Sequence, residues 1–224
     1  MVTIMTGDGP SRSGKGTVSR ILAKQLGFHY LDSGALYRLL GLVAVRHGLD
    51  LELKSDLTHV AKNMDVRFEA LTNGHNLVLL EGEDVTQELR TEQAGALASK
   101  VAAIPSVRNA LLSRQKEFAK APGLIADGRD MGTKVFSKAQ LKIFLTASIA
   151  ERASRRYKQL LEQGENVSLR ALEEQVRSRD ERDMSREASP LSIAKDAVEV
   201  DTSDLSIQEV VDKLLNLAIL RGIA

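Results

Sequence analysis

Residues 9–17, Gly9, Pro10, Ser11, Arg12, Ser13, Gly14, Lys15, Gly16 and Thr17, combine glycines, hydroxyls and one lysine in the spacing G-x-x-x-x-G-K. Such a run can surround phosphate oxygens with backbone N–H groups while its lysine supplies a mobile positive charge. ATP or GTP is the ligand this chemistry implies; a glycine-rich turn with an exposed lysine is the bland alternative. Two departures from the common motif matter. Gly16 stands where a Ser or Thr usually ligates magnesium, so Mg2+ is expected to be held largely through waters and phosphates, and its protein ligands stay unassigned. Arg12 replaces a small residue and is expected to point into solvent rather than at phosphate.

A second group with chemical potential is Asp127-Gly128-Arg129-Asp130, which follows the apolar Leu124 to Ala126. This delivers two acids and an arginine at the carboxyl end of a predicted strand, where open α/β sheets bind ligands; a surface turn built on Asp-Gly is the alternative. A third is the stretch from Glu151 to Arg186, with nine basic residues, eight of them Arg, against eight acidic ones. Charge balance suits an ion-paired helix face, and Arg179 with Asp183 makes one i, i+4 pair. Arg179, Arg182 and Arg186 nevertheless share one face, and Arg152, Arg155 and Arg156 another. Because a guanidinium fork binds two oxygens at once, these faces are expected to contact phosphate from a mobile cover.

The elements that must position these groups can be read from periodicity. Val2 to Thr6 predicts a strand, residues 9–17 a loop, and Val18, Ile21, Leu22 and Leu26 a helix closed by Gly27. Phe28 to Leu31 predicts a second strand running into Asp32-Ser33, either of which could cap a helix ending near Gly48. This alternation implies parallel strands joined by helical crossovers. From about Asp50 to Ala121 the rhythm breaks. Val66 to Leu71 and Leu77 to Leu80 predict a hairpin around Asn73-Gly74. Ala94, Leu97, Ala98, Val101 and Ala102 predict one helix, and Pro105 with Val107, Leu111 and Phe118 another. Leu124 to Ala126, Lys142 to Thr146 and Ala197 to Val200 predict the later strands, and Ser206 with Glu209 a capping box on the last helix.

Composition closes off several classes. The 224 residues contain no cysteine, which excludes disulfide frameworks, thiolate catalysis, thiolate zinc sites and iron–sulfur clusters, and the four histidines lack ligand spacing. No apolar stretch approaches the ~20 residues of a membrane span, and no export leader is visible, so the cytoplasm is the expected location. Thirty-one basic against thirty acidic residues give a net charge of +1, which argues against a broad nucleic-acid footprint. A regulatory GTPase would need an Asn-Lys-x-Asp block, and none occurs. A kinase acting on AMP, UMP or a small acid, and a non-catalytic nucleotide-binding module, stay open on these residues alone.

GPSRSGKGT, LDSGALYR (31–38), LEGEDVT (80–86), LIADGRDMGT (124–133) and RDERDMSR (179–186) together resemble the bacterial cytidylate kinases, P-loop nucleoside monophosphate kinases, almost end to end. The resemblance implies an α/β fold: a three-layer P-loop NTPase core with a parallel sheet (1–38, 122–150 and 190–224), an inserted nucleoside-monophosphate-binding lobe (about 39–121) and a short helical lid (about 151–189). It implies transfer of the γ-phosphoryl group of ATP, with Mg2+, to CMP or dCMP by a monomer in pyrimidine metabolism, without membrane or nucleic-acid partners. By the same resemblance Lys15 and the loop hold the donor, Arg38, Arg129 and Arg186 surround the acceptor phosphate, and Ser33 and Tyr37 line that site. Ser99, Arg108 and Asp130 would read cytosine, and Asp183 with Arg179 would hold the sugar hydroxyls; Lys15, Arg129, Asp130 and Arg186 carry the catalytic assignment. A carboxylate suits the exocyclic amine of cytosine and would oppose an oxygen of uracil. The chain departs from the family pattern at Gly7, where an apolar residue is usual and the strand end is expected to loosen, and at Arg12, where Gly or Ala is usual.

Overall fold

The computed structural model describes residues 2–51, 53–70, 76–162 and 164–223. In chain order it contains β1 (Thr3–Asp8), α1 (Lys15–Leu26), β2 (His29–Asp32), α2 (Ser33–Arg46), α3 (Lys54–Asn63), β3 (Val66–Ala70), β4 (Asn76–Leu80) and β5 (Glu83–Asp84). There follow α4 (Glu92–Val101), α5 (Pro105–Lys116), β6 (Gly123–Asp127), β7 (Leu141–Thr146), α6 (Ile149–Glu162), α7 (Leu169–Ser185), β8 (Val198–Asp201) and α8 (Ile207–Leu220). Residues divide into two compact units, Met1–Asp32 with Lys116–Ala224, and Ser33–Gln115.

The larger unit is α/β. Its five strands are all parallel, in the order β2-β6-β1-β7-β8. The central strands β6 and β7 are apolar along nearly their whole length because both faces are covered. One face packs Met5, Ile125, Ile143 and Val200 against Val18 and Leu22 of α1 and Val211 and Leu214 of α8. Strand alternation then puts Thr6 and Asp8, both buried, on the opposite face. A further cluster, Ala153 and Leu160 of α6 with Leu172 and Val176 of α7, joins those two helices.

Local signals appear where their chemistry requires. Gly27 ends α1 at φ 65, and Ser206 with Glu209 forms the reciprocal capping box of α8. Two expectations shift. β1 continues through Gly7 to Asp8, because Gly7 sits inside the ladder opposite Asp127 and Ile143, and a Cβ there would come 3.1 Å from Ser19 Oγ of α1. Gly7 therefore permits close helix packing on a regular strand instead of loosening its end. α5 stops at Lys116, before Phe118.

In the smaller unit β3 pairs antiparallel with β4, and β4 with β5; the Asn73-Gly74 turn expected between β3 and β4 lies outside the described residues. A Cβ on Gly41 of α2 would fall 2.7 Å from Leu97 Cβ of α4, so these two helices pack at close range.

Candidate active site

The loop from Gly9 to Gly14 links the end of β1 to the first residue of α1, Lys15, so its backbone precedes the positive end of that helix. Gly9 adopts φ 147, and a Cβ there would lie 2.0 Å from the Leu145 carbonyl oxygen, a position closed to any other residue. The loop carbonyls are tied to the core: Arg152 Nη1 donates to Ser11 O at 3.3 Å, and Thr202 Oγ1 to Ser13 O at 3.1 Å. Lys15 is buried, and its Nζ donates to Pro10 O at 3.0 Å. Burial pushes its ammonium down to about 7, the charge of Arg129 acts in the same direction, and Asp127 opposes both.

Asp127 closes β6 beside this lysine. Burial raises its carboxyl to about 6 against the pull of Lys15. The Tyr30 hydroxyl donates to its Oδ2 at 3.2 Å, while Oδ1 is buried with no hydrogen-bond partner among the described residues. A Cβ on Gly16 would come 2.9 Å from that Oδ2, so any side chain after Lys15 requires the Asp127 carboxylate to shift. Among the described residues no group of three or more His, Asp or Glu is placed to hold a metal ion.

Arg129, one turn residue further on, donates through Nε to Asp183 Oδ2 of α7 at 2.9 Å and through Nη1 to Gly128 O at 3.2 Å. Arg186 Nη1 stands 4.0 Å from Asp183 Oδ1. Burial alone would raise the Asp183 carboxyl; the guanidinium of Arg129, aided by Arg179 and Arg186, outweighs it and holds the group below the ordinary carboxylate range. Arg129 is correspondingly raised: burial disfavours its charge, and Asp183 more than compensates. The larger unit thus brings Lys15, Asp127, Arg129, Arg179, Asp183 and Arg186 into one electrostatic group, with Asp183 bonded to Arg129 and also within the field of Arg179, its i, i−4 neighbour.

Asp8 is the residue that sequence reasoning missed. Its Oδ1 accepts from Met131 N–H at 2.8 Å and its Oδ2 from Gly132 N–H at 2.7 Å. Both bonds hold the start of a π-helical turn, Met131–Val135, that follows directly on the buried Asp130. Burial is the largest influence on Asp8 and raises it to about 6, against those two N–H groups. The Asp8→Ala variant orphans two buried donors at about 1–3 kcal/mol each, partly offset by no longer burying a carboxylate. A net loss of about 2 kcal/mol in chemical denaturation and a lowered kcat are expected; parental values for both would remove Asp8 from the site.

One arginine expectation needs correction. Arg12 does not point into solvent: it is half-buried at φ 65 and its Nη1 donates to Gln159 Oε1 of α6 at 3.1 Å. The left-handed backbone turns the side chain toward that helix. On the Arg152–Arg155–Arg156 face, expected to contact phosphate from a mobile cover, each arginine has a protein acceptor. Arg152 forks onto Asp180 of α7 at 3.0 and 2.5 Å, and Arg155 binds Glu151 and the Thr202 carbonyl. Arg156 Nη1 donates to Gln159 Oε1 at 3.0 Å.

In the smaller unit Ser33 opens α2, Tyr37 and Arg38 follow on it, Ser99 lies on α4 and Arg108 on α5. Tyr37 and Arg108 are brought together: the guanidinium lies 5.4 Å from the ring centroid, and Arg108 Nη1 donates to Ala102 O at 3.1 Å.

A family model described as cytidylate kinase matches residues 5–219. A cytidylate kinase of Stutzerimonas stutzeri (strain A1501) is 56% identical over 216 residues, covering 96% of this chain and 94% of that protein. One from Pseudomonas fluorescens (strain SBW25) is 53% identical over 222 residues, covering 99% and 97%, and one from Colwellia psychrerythraea (strain 34H) is 54% identical over 215 residues, covering 96% and 95%. With a phosphate loop, a buried lysine and a clustered acid–arginine set at the strand ends, and with likeness over nearly its whole length, this chain belongs to the cytidylate kinase family.

Proposed function

We propose that the protein transfers the γ-phosphoryl group of ATP to CMP or dCMP, giving ADP and CDP or dCDP. The observation that carries this reading is the placement of Lys15, Asp127, Arg129 and Asp183 around the loop and the carboxyl ends of β1 and β6 in a chain of this family. The acceptor is an anionic phosphate, nucleophilic without loss of a proton, so no general base is required. Catalysis is then positioning and charge neutralisation. The loop N–H groups and Lys15 hold the donor phosphates. Arg129 and Arg186, already oriented by Asp183, receive charge from the transferring group. Asp183 and Arg179 serve the sugar, and Asp130 the base amine. Ser33, Tyr37, Arg38, Ser99 and Arg108 of the smaller unit are assigned to the acceptor nucleotide.

Mg2+ bound to ATP supplies further charge neutralisation at the phosphates. The buried, unbonded Oδ1 of Asp127 and the hydroxyl-free Gly16 fit a metal held by carboxylate and water. The reading includes a monomer working in the cytoplasm in pyrimidine nucleotide metabolism, without nucleic-acid or membrane partners. The net charge of +1 supports its lack of nucleic-acid contacts, and no described helix is long and apolar enough to cross a membrane.

Asp130→Ala tests the base assignment. Removing the acceptor for the cytosine amine is expected to lower kcat/KM for CMP by roughly 10- to 100-fold while UMP changes little, since a lost charge-assisted hydrogen bond is worth about 1.5–3 kcal/mol. An unchanged CMP to UMP ratio would assign base reading elsewhere.

A further inference from the structure

We propose that Thr202 is a positioning residue of the donor site: its hydroxyl holds the Ser13 carbonyl of the phosphate loop toward the end of β8 and so turns the Gly14 N–H to the donor phosphates. This deepens the kinase reading and rests on it. Thr202 follows directly on β8, 189 positions from Ser13, and is 3% exposed. Its Oγ1 accepts from Arg155 Nη1 at 3.1 Å, and its single hydrogen faces two carbonyls, Ser13 O at 3.1 Å and Thr146 O at 3.0 Å. Thr146 O already accepts from the Thr202 N–H at 2.8 Å, which leaves the hydroxyl proton to Ser13 O. The turn that carries Thr202 is itself braced. Asp201 Oδ1 accepts from the Ser203 N–H at 2.9 Å and hydroxyl at 2.7 Å, and Ser203 Oγ accepts from the Ser148 N–H at 3.0 Å.

The peptide plane converts this anchor into an orientation. The Ser13–Gly14 bond is trans, so the Ser13 carbonyl and the Gly14 N–H point in opposite directions from one rigid plane. Gly14 stands immediately before α1 at φ 87, and no side chain caps the helix there. Glycine's backbone freedom would let the plane rotate; the hydroxyl of Thr202 pins it. Two other loop carbonyls, Pro10 O and Ser11 O, are held by the long cationic side chains of Lys15 and Arg152. Thr202 holds Ser13 O from a short, β-branched side chain with few rotamers, fixed to the end of the sheet. The loop therefore meets its ligand with this N–H already aimed, and a donor aimed beforehand spends no binding energy on ordering.

Titration calorimetry on the full chain with the β,γ-imido analogue of ATP, and separately with CMP, tests this without turnover. Thr202→Val keeps the branched shape and removes the hydroxyl; it is expected to bind the analogue about tenfold more weakly, with CMP within about twofold of the parent. Thr202→Ser keeps the hydroxyl and drops the methyl, and is expected to bind both nucleotides as the parent does. A loss below about threefold for the analogue in Thr202→Val, or equal losses for the two nucleotides, would overturn the proposal. So would a loss in Thr202→Ser as large as in Thr202→Val, since the methyl and not the hydroxyl would then be responsible. If Thr202→Val does not fold, Thr202→Ala carries the same expectation and the same refutation. A parent that binds no analogue at all would overturn the kinase reading and this inference together, an outcome distinct from a parent that binds it and a Thr202→Val variant that matches.

Discussion

Lys15→Ala is expected to lower kcat by about 10²–10³-fold at saturating ATP and CMP, the range seen when one group stabilising transition-state charge is removed. The ammonium sits at the first residue of α1, where the helix end and loop N–H groups already favour negative charge. It is held in place by Pro10 O and flanked by Asp127 and Arg129. Burial lowers its pKa to about 7; a bound triphosphate is expected to restore the charge by offering the counter-ions that burial withholds. Because the folded state gains little from burying this lysine, its removal should leave the melting temperature equal or higher. That combination, activity lost and stability kept, separates a chemical role from a structural one. Steady-state ADP release and a thermal melt on the same sample measure both, and turnover within threefold of the parent would contradict the phosphate-loop assignment.

The second large effect is structural. Asp180→Ala should destabilise the protein by about 3–5 kcal/mol, because it leaves the buried Arg152 guanidinium without its counter-ion. Arg152 and Asp180 are both nearly inaccessible, and their forked contact adds a buried ion pair to the apolar cluster that joins α6 to α7. Arg152 also donates to Ala147 O and Ser11 O, so its displacement disturbs the phosphate loop. For a chain of this size the loss corresponds to a melting temperature lower by roughly 10 °C. The double variant Arg152→Leu with Asp180→Leu should recover most of it, since apolar residues of similar volume often replace a buried ion pair without cost. A double variant no more stable than Asp180→Ala would show that the loss does not come from an orphaned charge.

What the sequence made legible was whatever is decided within a few residues. The phosphate loop, the Gly27 helix end and the Ser206–Glu209 box each depend on groups at most eight positions apart, and all stand where expected. Parallel topology followed from the alternation of strand and helix. Asp8 was opaque because its partners are 123 and 124 positions away; nothing in MTGDGP shows that its carboxylate anchors the turn after Asp130. The Arg152–Asp180 fork was hidden differently, inside a segment whose charges nearly cancel, where many pairings satisfy helical spacing and burial alone selects one. Arg12 misled because its direction depends on a left-handed backbone, which residue type alone disfavours. Asp127 and Arg129 were legible as residue types at a strand end, but their partners Lys15 and Asp183 lie far off in sequence and could not be read from spacing.

The central claim is phosphoryl transfer to cytidine nucleotides. It is tested most directly by measuring ADP release from ATP and Mg2+ with CMP, dCMP, UMP, AMP, GMP and shikimate supplied in turn to the parent protein. Rapid turnover confined to CMP and dCMP is the expected result. Turnover with a different acceptor, or ATP binding without turnover on any of them, would contradict it.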